Sequence, residues 1–218
     1  MHKKWIKQNN HAKLILFFNG WGMDSATINH LKTGDYDIVE FNDYKDLEID
    51  IDVYKCYSEI YVVAWSLGVL AASLALANTT LSVKKSIAIN GTLNPVDAKE
   101  GIHPSIFKGT YEGWNEKNRK RFLIRIIGEK KLFEIYRSNF GTRLIDNQKE
   151  ELAKIYDYSL QDIANKFHFD VALIGKEDAI FPCKNQLNYW YNKSITKILD
   201  SPHYPFLLFT DWDRIITQ

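Results

Sequence analysis

Residues 59–77 read Glu-Ile-Tyr-Val-Val-Ala-Trp-Ser-Leu-Gly-Val-Leu-Ala-Ala-Ser-Leu-Ala-Leu-Ala, and this run narrows the fold more than any other stretch of the chain. Residues 60–64 are β-branched, aromatic or small throughout, the pattern of a strand buried on both faces. Residues 69–77 are rich in Ala and Leu, good helix formers, with Ser73 inside the run. The change from strand to helix takes place within Ala64-Trp65-Ser66-Leu67-Gly68. A strand that turns into a helix over one serine, with small residues two positions to either side, is the pattern of a nucleophile elbow. The turn is sharp and strained, and it lifts the hydroxyl above the sheet. Bulky neighbours would clash across it. Ala64 stands where glycine is usual and is still small. A serine that only caps the following helix is the plain structural alternative.

The 218 residues suffice for one well-buried domain. A net charge of +1 supplies no global field for nucleic acid or a membrane surface, and neither is expected as a partner. Cys56 and Cys183 form no framework spacing, which fits a reduced, cytoplasmic setting. The N-terminus is basic but lacks the apolar run of a signal peptide, and residues 69–77 are too few to span a bilayer. No His, Cys and Asp cluster has metal-ligand spacing, and no Gly-rich loop matches a phosphate cradle. Neither a metal nor another cofactor is therefore expected.

Short apolar runs predict strands at 13–18, 36–41, 60–64, 85–90, 169–175 and 195–199. Asp24 or Ser25 is placed to cap a short helix through Leu31, and residues 47–57 read as a loop with a weak helix. Strands alternating with helices imply right-handed crossovers and a mostly parallel sheet. The alternation breaks at about 95–166, where amphipathic helical patterns cover 115–127, 130–139 and 148–165. A helical block between two sheet strands has the position of a lid in α/β-hydrolases. The expected organisation is a single domain over 1–218 with this lid insertion, ending in a C-terminal helix over 206–216.

A serine hydroxyl is a poor nucleophile at neutral pH. It needs a base, a group to orient the base, and donors for the oxyanion. On a sheet of this type the acid and then the histidine follow the serine in the chain. Asp178 lies in Gly175-Lys-Glu-Asp-Ala-Ile-Phe-Pro182, directly after a predicted strand, with Glu177 as the rival acid. His203 lies in Asp200-Ser-Pro-His-Tyr-Pro-Phe206, after the last predicted strand. The other five histidines precede the elbow, fall in the lid or precede a strand. An early glycine loop, Asn19-Gly20-Trp21-Gly22, can aim the Trp21 N–H at the site beside the Leu67 N–H. An ordinary glycine turn and a packing tryptophan would look the same.

Four strings together, Asn-Gly-Trp-Gly-Met-Asp (19–24), Ala-Trp-Ser-Leu-Gly (64–68), Gly-Lys-Glu-Asp-Ala-Ile-Phe-Pro (175–182) and His-Tyr-Pro-Phe (203–206), resemble the pimeloyl-[acyl-carrier protein] methyl ester esterases of biotin synthesis. The compact BioG type is similar across nearly the whole length. The BioH type shares the Gly-Trp-Gly loop, the elbow, the acid loop and the base loop. Asn19 replaces the histidine common before Gly-Trp-Gly, which favours the BioG branch. The resemblance implies a catalytic triad of Ser66, Asp178 and His203, with an oxyanion hole from Trp21 and Leu67. It also implies hydrolysis of the methyl ester of a pimeloyl chain that remains thioester-linked to an acyl carrier protein.

Such a carrier is acidic, so a basic face near the entrance would steer it. The insertion offers Arg119, Arg121 and Arg125 together with Lys117, Lys120, Lys130 and Lys131. Trp21, Trp65, Trp114 and Phe140 are candidate walls for an acyl channel. A solvated helix face and ordinary core packing account for these residues as well. An acyl thioesterase or a generalist short-chain carboxylesterase would need the same triad. A non-catalytic carrier-binding module on the same fold is the reading from a different class.

Overall fold

The computed structural model describes residues 1–161 and 166–218. Seven strands form one sheet: β1 (His2–Lys7), β2 (Lys13–Phe18), β3 (Tyr36–Asn42), β4 (Glu59–Trp65), β5 (Val83–Ile89), β6 (Val171–Gly175) and β7 (Ile195–Leu199). Their order is β1-β3-β2-β4-β5-β6-β7; β1 is antiparallel to β3 and every other pair is parallel. The apolar runs of β2, β3 and β4 lie at the middle of the sheet and are almost wholly buried, as strands covered on both faces must be. α1 (Gly68–Ala75) follows β4, and seven of its eight residues are buried, so a helix apolar all round sits inside the protein.

Four helices stand between β5 and β6: α2 (Pro104–Glu112), α3 (Glu116–Ile127), α4 (Lys130–Tyr136) and α5 (Ile145–Ser159). Asn115 caps α3 by accepting from the Asn118 N–H, and the helix buries Leu123, Ile126 and Ile127 while Lys117, Lys120, Arg121 and Arg125 are exposed. α5 buries Gln148, Glu151, Leu152 and Ile155, one face at helical spacing, although two of the four are polar. α6 (Cys183–Trp190) and α7 (Trp212–Ile216) complete the order.

The differences from expectation are local. β1 carries three lysines on a sheet edge, where charge discourages pairing with another chain, so it lacks the apolar run that marks a strand. The helix expected from Asp24 to Leu31 is a single 3-10 turn, Ser25–Ile28, capped by Asp24. Residues 47–57 hold one 3-10 turn, Asp52–Tyr54. The last helix of the insert begins at Ile145 and ends at Ser159; the part expected over 162–165 lies outside the described residues. The C-terminal helix is broken: a 3-10 turn, Phe206–Leu208, precedes α7, because Asp211 caps a new start by accepting from the Arg214 N–H. α6 was not anticipated, although its buried Gln186, Tyr189 and Trp190 follow helical spacing.

At the start of β3, Asp37 is fully buried. It accepts from the Asn9 N–H (2.9 Å), the His11 N–H (3.3 Å) and the Tyr57 hydroxyl (2.9 Å), with His11 Nδ1 at 2.8 Å. Burial pushes its carboxyl upward, but these hydrogen bonds outweigh it and hold the group below its ordinary value. A depressed folded-state pKa contributes stability that is complete above the unfolded value and is lost as pH falls through the folded one. Asp37→Asn is expected to lose roughly 2–3 kcal/mol at pH 7, about 5–10 °C in Tm, and to flatten the acid limb of stability below about pH 4. Thermal melts of both proteins from pH 2 to 7 check this.

Candidate active site

The turn after β4 has the backbone an elbow requires. Ser66 holds φ at +58°, a conformation a non-glycine residue adopts only when its surroundings enforce it. The Ser66 N–H donates to the Ile89 carbonyl at 2.8 Å, and α1 begins two residues later. Gly68 is glycine because a Cβ there would stand 2.3 Å from the Asn19 carbonyl oxygen and 2.6 Å from that of Phe18. The elbow therefore packs backbone to backbone against the loop after β2. Ala64 is fully buried in β4, facing Phe18 on β2 and Ala88 on β5, and it fits there without glycine.

The three side chains expected to work together meet. His203 Nε2 lies 2.8 Å from Ser66 Oγ, and His203 Nδ1 lies 2.8 Å from Asp178 Oδ2. A carboxylate only accepts, so Nδ1 carries the proton and Nε2 is left to accept the Ser66 hydroxyl. All three residues are buried. Asp178 Oδ1 accepts from the Ile180 and Phe181 N–H groups at 2.8 and 2.9 Å, and Oδ2 also accepts from Gln186 Nε2 at 3.0 Å. The rival acid, Glu177, is exposed. Trp65 Nε1 and Asn90 Nδ2 each donate to the His203 carbonyl at 2.9 Å, while the Tyr204 N–H donates to the Ile126 carbonyl on α3. The imidazole has Phe181 parallel to it at 6.0 Å and Trp65 tilted at 5.5 Å. Cys183, beside Asp178, has its thiol pushed up by burial and by that carboxylate, which keeps it un-ionised and a poor competing nucleophile.

The site opens into a narrow cavity walled by apolar side chains, among them Met23, Ile106, Phe107, Phe122 and Leu152. Trp21, Ser66, Leu67 and His203 share its floor and Arg125 its rim. Among the described residues, neither the Trp21 nor the Leu67 backbone N–H has a hydrogen-bond acceptor. A groove continues outward past Thr110, Asn118 and Arg121.

The basic and aromatic residues divide. Arg121 and Arg125 are exposed at the groove, and Arg125 also donates to the Ala179 carbonyl at 2.6 Å. Arg119 is turned away and largely buried, donating to the Gly141 carbonyl at 2.9 Å. Phe140 packs between Phe133 and Tyr204 and does not line the cavity. Trp65 does line it, and Trp114 lies tilted against Trp21 with ring centroids 4.4 Å apart and lines the outer groove. Sequence reasoning missed Gln186, Asn90, Gln148 and Glu151. The Asn90-Gly91 pair after β5 was a usable signal; the other three required knowing how the helices dock. Among the described residues, no group of three or more His, Cys, Asp and Glu side chains could hold a metal ion.

A family model described as pimeloyl-ACP methyl esterase BioG matches residues 1–215. The chain belongs to this family. BioG from Haemophilus influenzae has a crystal structure that is 35% identical, with a TM-score of 0.91, covering 99% of this chain and 100% of that one. A Bacteroides fragilis protein named malonyl-[acyl-carrier protein] O-methyltransferase is 39% identical over 192 residues, 87% of this chain. The chain spans only 39% of that relative's length. Carboxylesterase CesB from Bacillus subtilis shares the architecture at 14% identity and a TM-score of 0.59, covering 100% of this chain and 85% of that one. The fold is thus that of the α/β-hydrolases, with the four helices between β5 and β6 as its helical insert.

The close approach at Gly68 has a measurable consequence. Gly68→Ala is expected to lower stability by more than ~3 kcal/mol, about 6 °C or more in Tm, and to abolish ester hydrolysis. Gly109, in α2, has nothing within 4 Å of an added Cβ. Gly109→Ala is expected instead to raise Tm by about 1–4 °C. Calorimetry on the two variants side by side checks the contrast.

Proposed function

We propose that this protein hydrolyses the methyl ester of a pimeloyl chain carried on acyl carrier protein, releasing methanol and a free carboxylate. The observation that carries this reading is the Ser66–His203–Asp178 chain of 2.8 Å contacts opening into an apolar cavity, in a chain matched along residues 1–215 by the BioG family model. The Bacteroides relative adds support, since its name describes methylation of an acid carried on the same kind of partner.

Ser66 Oγ attacks the ester carbonyl as its proton passes to His203 Nε2. Asp178 holds the imidazole in the productive tautomer and stabilises its charged form. The Trp21 and Leu67 N–H groups receive the oxyanion. Collapse expels the methoxy group, which takes the proton from His203 and leaves as methanol. Water, deprotonated by the same imidazole, then frees the acyl group and restores Ser66. The thioester sits at the far end of the pimeloyl chain, so an ester seated at Ser66 leaves the thioester toward the groove, away from the nucleophile. Free thiols at Cys56 and Cys183 suit a reduced, cytoplasmic setting.

The partner is the carrier protein. Arg121 and Arg125, exposed at the outer groove, are the cations placed to meet its acidic surface or its prosthetic-group phosphate. Arg119 and Phe140 serve the packing of the insert instead.

Ser66→Ala should fold normally and reduce turnover of pimeloyl-carrier methyl ester by at least ~10⁴-fold; substantial retained activity would sink the assignment. Arg121→Glu is expected to raise KM for that substrate about tenfold, ~1.4 kcal/mol, with kcat held, and to weaken its salt dependence. Initial-rate kinetics at two ionic strengths measure both, and aryl esters assayed alongside separate this specificity from general esterase activity.

A further inference from the structure

We propose that Arg125, on α3 of the helical insert, is a positioning residue for the triad: by gripping the peptide between Ala179 and Ile180 it fixes an amide that holds the Asp178 carboxylate against His203. The inference deepens the proposed hydrolysis and rests on the roles given there to Ser66, Asp178 and His203.

Asp178 lies in the loop 176–182, between β6 and α6, with no regular backbone ladder around it. Its Oδ1 accepts from the Ile180 N–H at 2.8 Å and from the Phe181 N–H at 2.9 Å. The first of these is an Asx turn, in which a side chain bonds the amide two residues on. The turn keeps its form only while the 179–180 peptide keeps its orientation. In a trans peptide the C=O and N–H point to opposite sides, so this unit presents the Ile180 N–H to the carboxylate and the Ala179 carbonyl away from it. Ala179 is exposed and has only a methyl group, so its own side chain supplies no anchor.

Arg125 supplies it. Its Nη2 donates to the Ala179 carbonyl at 2.6 Å, a charge-assisted hydrogen bond. Rotation of the 179–180 peptide would break that bond, remove the Ile180 N–H from Asp178 Oδ1 and turn a carbonyl oxygen toward the carboxylate. The guanidinium also polarises the unit: a cation at the carbonyl oxygen makes the N–H at the other end a stronger donor, as linked hydrogen bonds reinforce one another. The chain of contacts is continuous. It runs from the guanidinium through the 179–180 peptide to Asp178 Oδ1, then from Oδ2 to His203 Nδ1 and from Nε2 to Ser66 Oγ, each at 2.8 Å.

The helix end that carries Arg125 is itself fastened. Ile126 and Ile127 are buried, and the Ile126 carbonyl accepts from the Tyr204 N–H at 2.9 Å. Consecutive residues of α3 thus touch both loops of the triad: the side chain of Arg125 holds the acid loop, and the main chain of Ile126 holds the base loop. A guanidinium has five N–H donors, so one spent on Ala179 leaves others for the groove that Arg125 also lines. Positioning the acid and meeting the carrier therefore do not compete.

The test uses p-nitrophenyl acetate, an ester with no carrier and no arm to lie along the groove. The parent protein is compared with Arg125→Met, Asp178→Ala and the double variant, with the folded fraction of each taken from its thermal melt. Methionine keeps the length of the side chain and loses its donors. Arg125→Met is expected to lose about tenfold in kcat, with KM within about twofold of the parent. Where Asp178→Ala has removed the carboxylate to be held, adding Arg125→Met is expected to cost less than about twofold more, because residues that act as a unit are not additive.

A parent-like kcat for p-nitrophenyl acetate in Arg125→Met would overturn the inference and leave Arg125 a carrier contact alone. A tenfold loss that recurs in full on Asp178→Ala would overturn it too, since the residue would then act elsewhere. Should Arg125→Met fail to fold, Arg125→Gln, polar and uncharged, carries the same comparison. Turnover by the parent that persists in Ser66→Ala, or no turnover by the parent of either this ester or pimeloyl-carrier methyl ester, would instead overturn the underlying mechanism.

Discussion

Two turns of backbone, the elbow after β4 and the loop after β2, are pressed together with no side chain between them. The Phe18 and Asn19 carbonyl oxygens occupy the space in which a Cβ on residue 68 would lie. Because β2 and β4 are adjacent and in register from Lys13 opposite Glu59 to Phe18 opposite Ala64, both chains leave the sheet at the same level. Ser66 and Trp21 are therefore placed by the sheet itself. The positive φ at Ser66 costs about 1–3 kcal/mol, and the buried strands on either side hold it in place.

Around that contact the protein arranges several buried polar groups. Asn19 stands beneath the loop: its Nδ2 donates to Glu40 Oε1 at 2.6 Å, its Oδ1 accepts from the Gly20 N–H at 2.8 Å, and its carbonyl accepts from the Tyr44 hydroxyl at 2.7 Å. Burial pushes the Glu40 carboxyl upward, as it does that of Glu151 on the opposite side. An apolar core would have been the more stable choice, since burying carboxylates costs more than their pairing usually returns. The return here is directional: a hydrogen bond aims a backbone amide, and a methyl group cannot.

The parts that were legible in the sequence were those set by neighbours in the chain. The strand, serine and helix at 60–77 follow from local propensity and from the need for small residues at the turn. Asp178 and His203 were found because each follows a short apolar strand, and the sheet delivers whatever comes next to one edge. The same reasoning could not place Arg119, whose spacing on α3 is as regular as that of Arg121 but whose partner, the Gly141 carbonyl, lies in another segment. Phe140 was misplaced for the same reason: aromatic character marks burial, and only tertiary packing against Phe133 and Tyr204 says which buried space it fills. β1 stayed hidden because an edge strand need not be apolar.

The hydrogen bond between Ser66 and His203 joins residues 137 apart in sequence, and the helical insert lies entirely between them. A chain in synthesis thus makes the elbow, then all of α2 to α5, before either the acid or the base exists. Until β6 and β7 have been added to the sheet, the strained serine lacks the imidazole that its hydroxyl meets in the folded protein. On the proposed mechanism, hydrolysis is therefore a property of the completed sheet alone, and a partly folded chain carries no esterase that could act on the wrong ester.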